Sequence, residues 1–386
     1  MKIRINKDRI LALIFHPAFL AIIFFFTLLI FSKLSFSPYK IILKQAEPIS
    51  ISEQKNVFID IDSDSLKERI RGYNLLTNAT VIAYTSNESI YEAWNLSGKW
   101  LEDEAGFILH DGDQDGRMEM YALTVSTSDS LLISQLVLER RENIQRVKTV
   151  CKLGRFNENL DQDMGLLGFS DINSDGKEEI IFYVSGGFTL QPRAFYAWDI
   201  QNDEIIRSKY SGINYKTIKQ FLHIPGKENS ASCIFVENYA TDNYKDCVPF
   251  PDTASYAVVL TENLDYLFDP VIMGGPQSNT ITYPVFKDGE LMIMTIVNHF
   301  RKANNKVGFH LLNENGEIVL SVDTSLFDDG FVRMMFNDQI IVMHDGRESS
   351  RLGMINNELQ YLEKFIFQDY YFPAGVLNID NDKYDE

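Results

Sequence analysis

The sequence predicts an all-β fold of repeated four-stranded units, preceded by one N-terminal membrane helix. From residue 56 onward, short apolar runs alternate with Asn, Asp and Gly, and 12% of the chain is aromatic, a composition typical of strands and tight turns. Polar turns between paired apolar runs recur at intervals of roughly 42–61 residues. The same acidic nine-residue pattern also occurs four times.

The N-terminal segment predicts a membrane anchor. Residues 10–31 form an apolar run broken only by His16, Pro17 and Thr27, and about 20 apolar residues of helix cross a bilayer. Basic residues precede the run, so the N-terminus is expected to stay in the cytoplasm and the rest to be exported. The expected order is a cytoplasmic tail (1–9), a transmembrane signal anchor (10–31), a linker (32–54) and an extracytoplasmic region (55–386), either periplasmic or at the cell surface.

The net charge bears on possible partners, and the cysteines bear on possible disulfides. A formal net charge of −18 would repel nucleic-acid phosphates, so no nucleic-acid partner is expected. Cys233 and Cys247 are close enough in sequence to form a disulfide in an oxidising compartment, which would leave Cys151 free. The alternative is that all three are buried thiols.

The spacing of the polar turns predicts a β-propeller. The turns centre near residues 97, 141, 202, 263, 315 and 357, and periods near 40–50 residues with four strands per unit indicate propeller blades. The predicted blades are 56–104, 105–155, 164–212, 217–275, 279–325 and 329–368, with a partial unit at 370–386. Either the chain is a piece of a longer protein, or six blades close a ring and the last segment adds an edge strand.

The acidic pattern predicts calcium sites. In Asp171-Ile-Asn-Ser-Asp-Gly-Lys-Glu-Glu179, oxygen side chains occupy positions 1, 3, 5 and 9, and a glycine occupies position 6. Alternate oxygens in a tight loop suit Ca²⁺, which takes six to eight oxygen ligands. The expected ligands of this loop are Asp171, Asn173, Asp175, the backbone carbonyl of Lys177, and Glu179.

Three further segments follow the same register. The loop at 111–119 offers Asp111, Asp113, Asp115, the carbonyl of Arg117, and Glu119. Two loops without the glycine offer Asp60, Asp62, Asp64 and Glu68, and Asn378, Asp380, Asp382 and Glu386. The alternative is that these segments are acidic surface turns that bind no metal.

Two known families of calcium-binding loops have acidic patterns of this kind. An EF-hand requires a glutamate at position 12 between two helices, whereas Ala122 and Phe182 stand there between strand-like runs. The pattern D-x-[DN]-x-D-G-x-x-E instead resembles the FG-GAP (VCBS) repeat of integrin-type β-propellers, over about residues 55–386. That resemblance implies calcium at the loop between the first two strands of a blade.

A membrane anchor followed by such repeats resembles the exported sensor region of certain bacterial membrane histidine kinases. None of the six histidines has a phosphoacceptor setting, and a kinase would belong only to a longer parent protein. The expected function is therefore ligand binding, sensing or adhesion without catalysis, toward an unidentified glycan, peptide or protein. The alternatives are a glycan-acting hydrolase or lyase and a purely structural surface protein.

Overall fold

The computed structural model describes residues 56–61, 64–75, 78–101, 106–112, 116–138, 144–173, 175–223, 232–243, 249–287, 290–299, 307–324, 330–336, 339–345, 350–356 and 361–367. All of them belong to one unit, Ser52–Glu386. The predicted tail, anchor and linker lie outside these ranges, as does the segment 368–386. Within the ranges given, no helix has the length and apolarity needed to cross a membrane.

The described part of the chain is all-β, as predicted, and every pair of neighbouring strands is antiparallel. The first twelve strands are β1 (Asn56–Ile59), β2 (Glu68–Asn74), β3 (Ala79–Tyr84), β4 (Ile90–Asn95), β5 (Phe107–His110), β6 (Glu119–Val125), β7 (Ser130–Val137), β8 (Gln145–Lys152), β9 (Gln162–Ser170), β10 (Glu179–Gly186), β11 (Arg193–Asp199) and β12 (Glu204–Arg207). The next nine are β13 (Asn214–His223), β14 (Ser232–Tyr239), β15 (Ser255–Ala257), β16 (Val259–Thr261), β17 (Val271–Gly274), β18 (Ser278–Lys287), β19 (Glu290–His299), β20 (Val307–Leu312) and β21 (Ile318–Thr324). The last four are β22 (Gly330–Phe336), β23 (Gln339–Asp345), β24 (Ser350–Asn356) and β25 (Tyr361–Phe367).

Four sheets are meanders in which each strand pairs with the next one along the chain. They are formed by β1–β4, β5–β8, β9–β12 and β22–β25. Short polar turns connect their strands, which is the arrangement that antiparallel neighbours allow. We call the first three of these sheets the first, second and third sheet.

The sequence predicts one four-stranded sheet in each unit, but the strands from β13 to β21 do not follow this arrangement. Strand β14 pairs with β16 along its first half and with β18 along its second half, so seven strands join in one sheet. Strands β15 and β17 form a separate pair. The side chain of Asn238 bonds both the backbone N–H and the carbonyl of Tyr256, at 2.8 and 2.6 Å, and so replaces a ladder between β14 and β15.

The third sheet shares a core with a neighbour on each of its two faces. All eight residues of β10 are buried, and successive side chains of a strand point to opposite faces. Ile180 and Phe182 lie in a cluster with Tyr121 of the second sheet. The intervening Ile181 lies in a different cluster, with Ile234 of β14. The third sheet is therefore sandwiched between its neighbours, and burial of apolar area on both faces is its main stabilising contribution.

The first and second sheets pack against each other in the same way. Trp94 of the first sheet and Phe107 of the second share a cluster. Within the seven-stranded sheet, Phe235 of β14 and Ile293 of β19 share a further cluster. The first, second and third sheets thus follow one another face to face in chain order.

One predicted hairpin is wrong. The turn near residue 97 lies not within a sheet but in the connection from β4 to β5, where Lys99 pairs with Val125 of β6. The true β3–β4 turn is at 85–89, closed by a bond of 2.8 Å from the Thr85 N–H to the Ser89 carbonyl. The apolar signal at 93–101 comes from Trp94 and Trp100, which are core residues.

The cysteines are only partly described. Cys151 is a free thiol on β8 and Cys233 is buried on β14. Cys247 lies outside the described residues, so its predicted pairing with Cys233 stays a prediction. Burial raises the pKa of the Cys151 thiol to about 11, against a smaller opposing effect of its hydrogen bond to Tyr196.

Candidate metal centre

Three acidic loops occupy the same place in three successive sheets. Residues 60–67, 111–118 and 171–178 each connect the first strand of a sheet to its second. Each loop begins at the pattern's first aspartate and ends just before its glutamate, which is the first residue of β2, β6 or β10. The three loops can therefore be compared position by position.

The aspartate at position 1 closes each loop onto its own backbone. The carboxylate of Asp171 accepts hydrogen bonds from the N–H groups of Asp175 and Gly176, at 3.0 and 2.8 Å. Asp60 accepts from Asp64 and Ser65 at 3.2 and 2.9 Å, and Asp111 accepts from Gly116 at 3.0 Å. A charged acceptor strengthens such bonds, so this residue holds the turn even without an ion.

The glutamate at position 9 is buried in all three loops. Glu68, Glu119 and Glu179 are only 3%, 1% and 1% exposed. Each accepts a hydrogen bond from the backbone N–H at position 2, from Ile61 at 2.9 Å, Gly112 at 3.0 Å and Ile172 at 2.8 Å. Buried carboxylates are rare unless they are paired or bind a metal.

The residue at position 6 has a left-handed backbone conformation in all three loops. Gly116 and Gly176 have φ of +87° and +86°, and Ser65 has φ of +69°. Glycine adopts this conformation at no steric cost, whereas serine pays a small one. The missing glycine therefore does not prevent the first loop from adopting the backbone of the other two.

The third loop gathers three carboxylates. Oxygens of Asp175, Glu179 and Asp199 all lie within 4.8 Å of one another. Asp199 is the last residue of β11, and the pairing of Ile180 with Trp198 places it beside Glu179. The sequence pattern did not predict this residue. Its only signal was a carboxylate at the end of a strand that must pair with the strand after the loop.

The electrostatics of this cluster are unfavourable without a cation. The pKa of Glu179 is raised to about 7, chiefly by burial. The neighbouring carboxylates of Asp199, Asp175 and Asp171 contribute to this rise, and the hydrogen bond from the Ile172 N–H partly opposes it. Among the described residues, no Lys, Arg or His side chain forms an ion pair with Glu179 or Asp199.

Amide groups hold the carboxylates in place. The Asn173 side-chain amide lies 3.2 Å from Glu179 and 3.3 Å from Asp199. Asn202 donates to Asp199 from its backbone and its side chain, at 2.9 and 2.7 Å. The resulting donor set is all oxygen and doubly or triply anionic, which fits a hard cation such as Ca²⁺.

The second loop lacks the extra carboxylate. Val137 pairs with Glu119 in the position that Asp199 has in the third sheet. The Tyr121 hydroxyl lies 3.4 Å from Glu119 and receives a bond of 3.1 Å from Gln135. Glu119 therefore has the neutral side chains of Tyr121 and Gln135 nearby, whereas Glu179 has the carboxylate of Asp199.

Other predicted ligands remain predictions. Asp62, Asp113 and Asp115 lie outside the described residues, as do Asn378, Asp380, Asp382 and Glu386. Arg117 and Lys177 are described, and the Lys177 N–H bonds Asp175 at 2.9 Å. The role of their carbonyls as ligands is untested.

A direct contact links the second and third loops. His110, which precedes Asp111, lies 2.6 Å from the carboxylate of Glu178, which precedes Glu179. The His110 ring also stacks on Phe169, with ring centroids 4.0 Å apart. The beginning of one loop is thus fixed against the end of the next.

Comparison with known proteins gives little further information. No protein-family model and no curated protein matches the chain. Among solved structures, a crystal structure of a eukaryotic initiation factor is 10% identical with a TM-score of 0.39, covering 82% of this chain and 66% of that one. An uncharacterized protein of Listeria monocytogenes EGD-e is 9% identical with a TM-score of 0.38, covering 86% and 90%. Similarity at this level carries no argument about function.

Proposed function

We propose that the protein is a membrane-anchored, extracytoplasmic, calcium-binding β-propeller. It acts as a ligand-binding, sensory or adhesion module and has no catalytic activity of its own. The observation that carries the calcium assignment is the cluster of Asp175, Glu179 and Asp199, because two of these carboxylates are buried and lie within 4.8 Å of each other. A bound cation removes the repulsion that such a cluster otherwise suffers.

The stacking of sheets supports the propeller. Blades of a propeller are four-stranded meanders arranged radially, so both faces of each blade are covered by its neighbours. The third sheet is a four-stranded meander with both faces buried. Because the loops at 60–67, 111–118 and 171–178 repeat at one corner of successive sheets, a cation at each would tie the first strand of a blade to its second.

The accessibility of the acids favours binding over glycan hydrolysis. Glycosidases use two carboxylates that flank a substrate bond in an open cleft. Glu179 is 1% exposed and Asp199 is 4% exposed, so neither can reach a sugar without rearrangement. The acids therefore suit an ion better than a substrate.

Calcium titration tests the metal assignment. The full-length chain in mild detergent should bind Ca²⁺ with Kd on the order of 10⁻⁴–10⁻³ M, as extracellular modules do. Asp199→Asn keeps the shape and removes one charge, and it should weaken the third site by about ten-fold. Isothermal titration calorimetry of the two proteins provides the measurement.

The matched control is Glu204→Gln, which removes a charge from the residue paired with Asp199 across the hairpin. It should leave calcium binding unchanged, because Glu204 is exposed and outside the cluster. The absence of calcium heat in the unmodified protein, or equal losses in both variants, would show that the loops are only acidic turns.

Membrane topology is a separate expectation. Four basic residues, Lys2, Arg4, Lys7 and Arg9, precede the apolar run, so the chain after residue 31 should be exported. A phosphatase reporter that is active only outside the cytoplasm, fused after Ser50, should be active. If a reporter that works only in the cytoplasm were active at the same position, the predicted orientation would be wrong.

A further inference from the structure

Two phenylalanine rings form an exposed stacked pair at the end of the third sheet opposite its acidic loop. Phe156 lies between β8 and β9, and Phe188 lies in the turn between β10 and β11. Their ring centroids are 4.3 Å apart with an angle of 14° between the planes. The side chains remain 37% and 42% exposed, so each ring also presents surface to solvent.

The backbone under Phe156 is rigid and strained. Phe156 and Asn159 exchange two backbone hydrogen bonds of 2.9 and 3.0 Å around a tight turn. The two central residues, Asn157 and Glu158, have φ of +49° and +68°. Left-handed conformations are costly for residues other than glycine, and they concentrate at binding sites.

A buried arginine fixes the backbone under Phe188. Arg193 is fully buried and donates hydrogen bonds to the carbonyls of Gly186, Phe188 and Gly212. Its charge is paired with the buried carboxylate of Asp252 at 3.1 Å. Phe188 itself has φ of +48°. The ring pair is thus held in place before any ligand arrives, which lowers the entropic cost of binding.

The surroundings of the ring pair are acidic. The carboxylate of Asp161 lies against Gly187, so close that a Cβ atom there would come within 2.0 Å of it. Glu158 is also exposed. The nearby cation Arg155 is engaged within the chain: its Nε and Nη2 both donate to Asp129 at 2.6 Å, and its Nη1 donates to the carbonyl of Glu158. Its charge also interacts with the carboxylate of Glu158, though less strongly than with that of Asp129. Lys152 also lies within electrostatic reach of Asp129.

We propose that Phe156, Phe188, Asp161 and Glu158 form a docking site for a lysine or arginine side chain on an extended basic segment of a partner protein. A cation over an aromatic ring is attracted to the ring's negative face, and the carboxylates complement its charge. This inference rests on the proposed role as a binding module, but it does not depend on calcium.

The arrangement of the rings decides between a peptide and a small organic cation. Sites for free quaternary ammonium compounds enclose the cation with several aromatic walls. Here the two rings stack on each other and enclose no space, so a free small cation would stay largely hydrated. A peptide gains further contacts along the surface, and the net charge of −18 attracts a basic partner from a distance.

The test measures binding of a fluorescent peptide of alternating Lys and Gly to the full-length chain by anisotropy at low salt. Phe156→Leu keeps an apolar side chain and the net charge, and should weaken binding by about three- to five-fold. Phe156→Leu combined with Asp161→Asn should weaken it by about ten-fold or more. Phe58→Leu is the matched control, because Phe58 is 59% exposed on the first sheet, and it should change nothing.

Three results would overturn the proposal. One is unchanged affinity of Phe156→Leu, and another is an equal loss for Phe58→Leu. The third is equal binding of a peptide in which Gln replaces Lys. Thermal unfolding of each variant checks the fold, and exposed positions should tolerate leucine. Running the assay with and without chelator separates this site from the calcium assignment, because peptide binding should persist when calcium is removed.

Discussion

Replacing Arg193 by methionine is expected to lower the free energy of unfolding by about 3–5 kcal/mol, because removing one partner of a buried ion pair leaves a buried charge uncompensated. Arg193 and Asp252 are both completely buried. Methionine fills a similar space without donating hydrogen bonds. Asp252 would retain only its bonds to other groups, such as the Thr241 hydroxyl.

The backbone carbonyls that accept hydrogen bonds from Arg193 add to the expected loss of stability. Gly186, Phe188 and Gly212 each accept one of its hydrogen bonds. A buried acceptor that loses its donor costs about 1–3 kcal/mol, although these losses overlap with the ion-pair loss and do not simply add. The β10–β11 turn and the connection from β12 to β13 should therefore loosen together.

Urea unfolding followed by tryptophan fluorescence measures this loss. Arg155→Met is the matched control, because Arg155 also forms an ion pair with an aspartate, Asp129, but its side chain is 47% exposed. Surface ion pairs contribute little, so the control should be much closer to the unmodified protein. Equal losses in the two variants would contradict the structural role assigned to Arg193.

Chelated protein is expected to become less stable as the pH rises from about 4.5 to about 7, by up to about 3 kcal/mol from Glu179 alone. The pKa of this carboxyl is raised from 4.5 to about 7 in the folded chain, chiefly by burial. The folded state therefore binds a proton that the unfolded state has already released. The stabilising contribution is fully present below about 4.5 and is lost as the pH passes through 7.

Calcium should reverse this dependence. A cation at the third loop favours the ionised Glu179, and binding to the folded state alone adds RT ln(1 + [L]/Kd) to stability. At millimolar calcium and a Kd of about 10⁻⁴ M this is about 1.4 kcal/mol per site. The calcium-dependent rise in melting temperature should therefore be larger at pH 7.5 than at pH 5.

Glu179→Gln isolates the contribution of one residue. Glutamine still accepts the bond from the Ile172 N–H, but it cannot ionise, so the variant should lose the pH dependence between 4.5 and 7 in chelator. Melting curves at several pH values, with Glu204→Gln as control, give the comparison. A Glu179→Gln variant whose stability follows pH as the unmodified protein does would exclude this carboxyl as the titrating group.

Local sequence patterns were sufficient to predict the all-β class and the backbone frame of the acidic loops. Alternating apolar residues predicted the strands because the side-chain period of a strand is two. The nine-residue pattern predicted loops because Asp171 and Gly176 act within a few residues of each other, through a carboxylate-to-backbone bond and a left-handed turn. Such short-range effects need no knowledge of the rest of the molecule.

Only the tertiary structure decided the remaining features, because they join residues far apart in sequence. Asp199 reaches Glu179 through the register of β10 with β11, and Asp252 meets Arg193 across 59 positions. The turn near residue 97 was mispredicted because Trp94 and Trp100 serve a core shared with the second sheet. Phe156 and Phe188, which are 32 positions apart in sequence, come together only because the β8–β9 connection and the β10–β11 turn lie at the same end of the third sheet. A sequence pattern reports local geometry, whereas these contacts depend on which strands pair and which sheets stack.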